Sequence, residues 1–235
     1  MTGPLERRDG DPQIWDERAV VVCGTAGGVG TSVVSALLAE HRAAASLGLL
    51  SWWVDASGND CDIELRLRGT GNEELLRTAS GTGLWLPPDE ASVTDAVVEV
   101  WRQGAVPVID AGAHPLTLLP ELAEDDLPNL TPVLVISPRP DLLNRARVIF
   151  TEWDRAGVLE NTVVVIDSQL PVQQQTGLAD MLVGVVSGAV GTVIGLDYDP
   201  VLGAGTSIDQ DARRGFLPAT VESIAKLAAA TSNRH

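Results

Sequence analysis

Apolar residues along this chain fall into short unbroken runs, separated by stretches whose apolar positions recur at helical spacing. Ala19–Cys23, Gly48–Val54, Val106–Ile109, Pro132–Ile136, Thr162–Ile166 and Thr192–Leu196 are rich in Val, Ile and Leu without strict alternation. That pattern predicts strands buried on both faces. Gly83–Leu86 predicts a further short strand, before Pro87-Pro88. Helices are predicted over Thr31–Ala45, Leu75–Ser80, Ala91–Arg102, Asp141–Ala156 and Val221–Ala230. In the third of these Val93, Val97, Val100 and Trp101 share one side; in the fourth Asp141 is the expected N-cap. The uncharged run Met181–Leu196, 16 residues with four glycines, is short for a membrane span. It is read as the end of a buried helix, a turn and a buried strand. Trp52 and Trp53 occupy adjacent, oppositely facing strand positions, which assigns both to core packing. Strands alternating with helices imply right-handed crossovers and a parallel sheet. The expected fold class is therefore α/β, a doubly wound, mainly parallel sheet flanked by helices. Residues 1–16 are expected to form a flexible tail and residues 17–235 one α/β domain.

Between the first strand and the first helix stands Val20–Ser32, VVVCGTAGGVGTS. Strand, glycine-rich turn and helix make the setting of a phosphate-binding loop. Glycines let backbone N–H groups curl around an anion, and the helix N-terminus adds its partial positive charge. Ser32 stands where such loops place the hydroxyl that ligates Mg²⁺, but Thr31 replaces the lysine that reaches the β- and γ-phosphates. The alternative is a tight strand-to-helix turn with no ligand. A dinucleotide-binding loop is disfavoured, because no G-x-G-x-x-G can be aligned here. Gly24 to Ser32, Asp55, Asp110, Ser137 and Asp167 all lie at the ends of predicted strands. In parallel sheets ligands bind beyond those carboxyl ends. His114 precedes a proline and is read as a surface loop residue rather than a catalyst.

Composition narrows the partners. At 235 residues with 45% hydrophobic content, the chain can bury a substantial core. Its net charge is −16 and the calculated isoelectric point near 4.4. Such a balance opposes binding to nucleic acid or to an anionic membrane surface. Lys226 is the only lysine in the sequence, so no small shift of register could restore the missing loop lysine. Cys23 and Cys61 have no metal-ligand spacing; Cys23 ends a strand and is expected to be buried in a reduced, cytoplasmic setting. The polar start MTGPLERRDGDPQ lacks the apolar stretch of a signal peptide. In the last helix Val221, Ile224, Leu227 and Ala228 fit packing on the domain better than insertion into a membrane.

The segment Ala26-Gly27-Gly28-Val29-Gly30-Thr31-Ser32 resembles the ParA/MinD family loop K-G-G-x-G-K-[ST], with both lysines replaced. A GGVGT loop without the second lysine resembles the TadZ/CpaE branch, the localisation proteins of Tad pili and related secretion systems. The resemblance implies that Gly27, Gly28, Val29, Gly30, Thr31 and Ser32 surround nucleotide phosphates and that Ser32 and Asp110, the Walker B aspartate in VIDAGAHP, hold Mg²⁺. Asp55, in VDASGND, is the catalytic candidate, although Ser57 takes the place of the family's second, water-orienting carboxylate. Its other reading is a cap on the turn after its strand. Asp60–Leu65 resembles a G-D-L segment of that branch. Asp167, where the family has a base-reading asparagine, and Asp197, in LDYDP, are placed beside the adenine. Asp167 could accept a hydrogen bond there but not donate one as asparagine does. The cofactor is ATP or ADP with Mg²⁺, or none. Ala26, Thr31 and Ser57 together argue for little or no hydrolysis. The function implied is positioning or assembly of a Tad-type pilus or secretion apparatus. The alternatives are a septum-site or partitioning ATPase and a nucleotide-free interaction module. Expected partners are proteins of that pilus, secretion or division apparatus and a second copy of the chain, with no nucleic acid and no membrane insertion. The protein would be recruited from the cytoplasm to pole or septum.

Overall fold

The computed structural model describes residues 18–45, 50–58, 63–68, 77–87, 91–123, 129–171, 177–208 and 210–232. The strands are β1 (Ala19–Gly24), β2 (Leu50–Asp55), β3 (Gly83–Trp85), β4 (Ala105–Asp110), β5 (Leu130–Ile136), β6 (Val163–Asp167) and β7 (Thr192–Leu196). The helices are α1 (Thr31–Ala45), α2 (Ile63–Arg68), α3 (Val93–Arg102), α4 (Pro115–Ala123), α5 (Leu143–Arg155), α6 (Leu178–Val186), α7 (Pro200–Gly203), α8 (Gln210–Arg213) and α9 (Pro218–Thr231). The strands form one sheet in the order β3-β2-β4-β1-β5-β6-β7, and every pair is parallel. This is the doubly wound sheet flanked by helices that the uninterrupted apolar runs predict.

Each central strand feeds two cores. Val20, Val22, Trp53, Val133 and Val165 pack under α1 and α9, while Ala19, Val21, Cys23, Leu134 and Ile166 pack under α3 and α5. The strict division of neighbouring residues between the faces follows from the strand period of two. Trp52 and Trp53 divide in this way. Trp53 is fully buried and donates to Ser35 Oγ at 2.9 Å, whereas Trp52 packs on the other face with Arg77 over its ring. Gly83 of β3 lies opposite Trp52, and any side chain there would meet the indole.

Four expectations change. Asp141 does not cap α5. A 3₁₀ turn, Pro140–Leu142, precedes that helix, and the Asp141 carboxylate pairs with Arg139 at 2.7 Å. Of the helix expected over Leu75–Ser80, residues 75–76 lie outside the described residues, and residues 77–80 form a bridge to Gly83 and a turn. The helix entering Met181–Leu196 is mostly exposed rather than buried, with Met181 and Val185 open to solvent. It flanks β7, the last strand of the sheet, so less protein covers it. In α9, Ile224, Leu227 and Ala228 are buried but Val221 is exposed. Residues 1–16, and with them the expected tail, and the residues Asp60, Cys61 and Asp62 lie outside the described residues.

Candidate functional site

The order of the strands sets the site. β1 lies between β4 and β5, and the chain leaves β1 to wind first toward β2 and later toward β6. Beyond the carboxyl end of β1 runs the glycine loop, tied to its neighbours by backbone hydrogen bonds. Gly24 N–H donates to Gly112 O at 2.8 Å, and Thr25 N–H to Val135 O at 2.9 Å. Val34 N–H donates to Gly30 O at 2.9 Å, which starts α1 immediately after the loop. Gly28 and Gly30 have φ of 74° and 92°, a region open to glycine at little cost. Gly27 and Gly28 are exposed, while Ala26, Val29 and Thr31 are buried.

The two lysine replacements are structurally distinct. Ala26 belongs to the core under α1, so its position presents no side chain to the exterior. Thr31 turns its hydroxyl back toward Gly24, into the space a Cβ there would fill. Neither can offer charge to an anion in the loop.

Asp110 ends β4 and is fully buried. Its Oδ1 accepts from Gly112 N–H at 3.0 Å. No hydrogen bond of normal geometry ends on the buried Oδ2 among the described residues. Burial lifts Asp110 to about 6, and the charge of Asp55 adds to the lift; the nearby Ser32 hydroxyl and the Gly112 N–H oppose it. Asp55 is the residue paired with Asp110 across β2 and β4. A buried carboxylate oxygen without a partner beside a half-buried serine hydroxyl has the chemistry of a hydrated Mg²⁺ site. To that extent Asp110 and Ser32 fit the ion.

Asp55 is committed locally. Its Oδ1 accepts from Ser57 N–H at 3.0 Å and from Ser57 Oγ at 2.6 Å, an Asx turn that closes the end of β2. Ser57 in turn lies against Gly112, where a Cβ would come within 3.1 Å. The turn-capping role that the sequence left open is therefore present.

At the end of β6 the Asp167 carboxylate is pressed against Gly30. Burial drives it to about 7, against the opposing pull of the Gln169 amide. Gln169 Nε2 donates to Gly28 O at 2.8 Å and to Asp167 Oδ2 at 3.3 Å, clasping the loop to β6. Gln169 carries a role that the sequence reading missed; its signal is its place two residues after Asp167, on the same side of an extended chain. Asp197 is exposed one residue beyond β7, and no contact joins it to the glycine loop among the described hydrogen bonds. Asp199, two residues on, is buried and accepts from Val201 N–H, Leu217 N–H and Thr220 Oγ1, each at 2.8 Å. His114 is exposed, and its carbonyl accepts from Thr117 and Leu118 at the start of α4. Ser137 is buried at the end of β5. Arg139 is held by Asp141, and Arg145 donates to Ala113 O at 3.4 Å.

The fold thus brings Asp55, Asp110, Ser137 and Asp167 to the carboxyl ends of the strands around the glycine loop, with Asp167 against Gly30, whereas Asp197 stays exposed beyond β7. The backbone frame of the loop is intact, and neither Ala26 nor Thr31 adds a cation to it.

Solved structures of the same fold are ParA/MinD-type proteins. A ParA family ATPase from Chlorobium tepidum superposes with a TM-score of 0.56 at 14% identity, over 90% of this chain and 98% of that one. MinD in the MinC:MinD cell division complex of Aquifex aeolicus gives 0.55 at 18% identity, over 90% and 94%. A variant of McdA from Cyanothece, solved with ATP, gives 0.58 at 11% identity, over 92% and 96%. These likenesses establish the fold, the seven-stranded parallel sheet flanked by helices that ParA and MinD share. No protein-family profile and no curated protein matches the sequence. No described helix is long and apolar enough to cross a membrane.

Proposed function

We propose that this protein is a positioning or assembly factor of ParA/MinD type that hydrolyses ATP slowly or not at all. One observation carries the reading. The glycine loop keeps its backbone frame, but Thr31 and Ala26 supply no charge and the Asp167 carboxylate is packed against Gly30. Losing one partner of a buried charge pair costs on the order of 2–5 kcal/mol. That is roughly 30- to 5,000-fold in affinity or rate. A protein that retains the fold without the charge retains surfaces rather than turnover. MinD, with which this chain shares its fold, is solved in complex with a partner protein, MinC.

Within that reading, the GGVGT loop favours a TadZ/CpaE-like role at a Tad-type pilus or secretion apparatus. A septum-site role uses the same geometry with a different partner. The polar or septal position of a fluorescent fusion in the native cell, together with the neighbouring genes, distinguishes them. Nucleotide, if bound, would be ATP or ADP with Mg²⁺ held through Ser32 and Asp110, with Gly27, Gly28, Val29, Gly30 and Thr31 around the phosphates. Asp167 and Asp197 would then lie on the base side.

Steady-state phosphate release with Mg²⁺-ATP tests the proposal, and the expected rate is the buffer background. Robust Mg²⁺-dependent turnover abolished by Ser32→Ala or Asp110→Ala overturns it. Calorimetry with and without Mg²⁺ separates a nucleotide-binding factor from a nucleotide-free interaction module.

A further inference from the structure

At the opposite end of α1 from the glycine loop, a groove of about 290 Å³ opens between α1, α8 and α9. It lies roughly 15 Å along the helix from Thr31, at 1.5 Å per residue. One wall carries His41, Arg213 and Arg214, and the floor is apolar, with Phe216, Val221 and Ile224. Val221 is the α9 residue whose exposure the sequence did not anticipate, and it stands 48% exposed at this groove.

The cations are placed differently. Arg213 is anchored through Nη1 on Glu40 O at 3.1 Å, which fixes its guanidinium at the wall. Arg214 is mostly exposed and pairs with the equally exposed Asp211 at 2.8 Å. Exposed pairs of this kind contribute little and exchange readily for another carboxylate. The acid on α9 beside Val221, Glu222, is already paired with Lys226 at 2.7 Å. His41 is lowered from its ordinary value, by burial first and then by Arg213 and Arg42, so it offers neutral hydrogen bonding.

We propose that this groove docks an acidic, apolar-interleaved peptide segment of a partner protein, its carboxylates on Arg213 and Arg214 and its apolar side chains on Phe216 and Val221. The inference goes beyond the positioning role and does not depend on whether the glycine loop binds nucleotide. Charge selects the occupant. A chain of net charge −16 repels an extended polyanion such as nucleic acid or an anionic membrane. A short peptide with two or three carboxylates responds to charges within a Debye length, about 8 Å at physiological salt. Among the residues lining the groove, the cationic side chains are Arg213 and Arg214, the second paired with exposed Asp211. Guanidinium groups suit carboxylates by geometry, and an apolar floor beneath them rewards a side chain that a free anion lacks.

The test is a binding array of ten-residue peptides on the full-length chain. One set interleaves Asp and Glu with Leu and Phe, a second replaces the acids by Lys, and vesicles of phosphatidylcholine with phosphatidylserine form a third arm. Acidic-apolar peptides should bind and weaken with added salt. Arg214→Glu and Val221→Asp should each reduce their affinity about tenfold or more, in proportion to the loss of a charge-assisted contact or of the apolar floor. Both side chains are exposed, so melting temperature should stay at the wild-type value and separate docking from folding. The proposal is overturned if no acidic peptide binds, if binding survives both variants, if the Lys set binds equally, or if the vesicles bind in place of the peptides.

Discussion

The carboxylate of Asp167 lies so close to Gly30 that a methyl group on that glycine would overlap Oδ2. Two elements far apart in sequence meet there, the glycine loop and the end of the sixth strand. The meeting decides the character of the site, because it packs a carboxyl group against the loop frame and away from water, where its charged form is disfavoured.

The pH dependence of stability follows from the same contact. Asp167 is raised from the ordinary 3.8 to about 7, chiefly by burial. The folded protein therefore holds a proton that the unfolded chain has lost, and stability falls as pH rises from about 4 to about 7. Asp110, raised to about 6 by burial, acts in the same direction. Asp167→Asn should flatten this slope and raise stability at pH 8 by roughly 2–4 kcal/mol. Urea unfolding of both proteins between pH 5 and 8 checks it; an unchanged slope would show that the carboxylate is charged at no cost.

Gly30→Ala should destabilise the fold by about 2 kcal/mol or more, since a Cβ meets both a left-handed backbone and a buried carboxylate. The φ of 92° remains whatever stands at 167, so Asp167→Gly should relieve only part of the loss. A double-mutant cycle in urea measures the coupling, and a value near zero would mean the two residues do not press on one another.

Restoring Thr31→Lys should tighten Mg²⁺-ATP binding by about tenfold or more, through one charge-assisted contact to phosphate. Turnover should rise far less, because Asp55 stays bonded to Ser57, and Ser57 stands where a second carboxylate would orient water. Adding Asp167→Asn should tighten binding again. Calorimetry and phosphate release on the three proteins distinguish the effects; equal gains in affinity and turnover would contradict the argument.

Much of this was legible in the sequence, for reasons visible in single residues. Val20, Val21 and Val22 belong to a continuous apolar run because the strand is buried on both sides, and such runs need no tertiary knowledge to recognise. Thr31–Ala45 was bounded correctly because a glycine loop fixes where its helix starts. The failures have a common cause. Asp141 looks like a cap until Arg139 claims its carboxylate. Met181 and Val185 look buried because composition reports apolarity, whereas exposure depends on how much protein lies beyond β7. The clasp of Gln169 on Gly28 spans 141 positions; its place two residues after Asp167 puts it on the right side of the chain but does not name the partner.

Asp199 gives a contrasting prediction. Burial works against its charge, but the N–H of Leu217, the hydroxyl of Thr220 and the N–H of Val201 outweigh it and hold its carboxyl below the ordinary range. Its contribution is thus present above that range and lost on acidification, opposite in sign to that of Asp167. Asp199→Ala leaves these donors unpaired where α7 and α9 begin, and should cost about 3 kcal/mol. For a chain of this size that is a fall of roughly 6–12 °C in Tm. Any nucleotide affinity should be unaffected below the new Tm, which would mark the residue as structural; a selective loss of binding would assign it to the site instead.

Assembly is the last consequence of the loop. The resemblance to ParA/MinD proteins implies a dimer with two nucleotides between the subunits, where lysines offset the repulsion of facing phosphates. Here Ala26 is buried in the core and Thr31 turns toward Gly24, so the loop offers no side-chain cation to that interface. Two triphosphates would face one another with little compensation, and each subunit of charge −16 adds repulsion. A dimer driven by nucleotide is therefore unfavourable. The loop instead exposes Gly27 and Gly28, around which a Cβ would find no neighbour within 4 Å, leaving a flat surface that a second copy can approach closely. Light scattering should give the same dimeric mass for the apo protein and for the protein in excess Mg²⁺-ATP. A bulky, charged substitution at the surface, Gly27→Glu, should shift the mass toward monomer without lowering the Tm, because that position is open. An apo monomer that ATP converts to a dimer would refute the argument, and would require a cation at the interface from outside the loop.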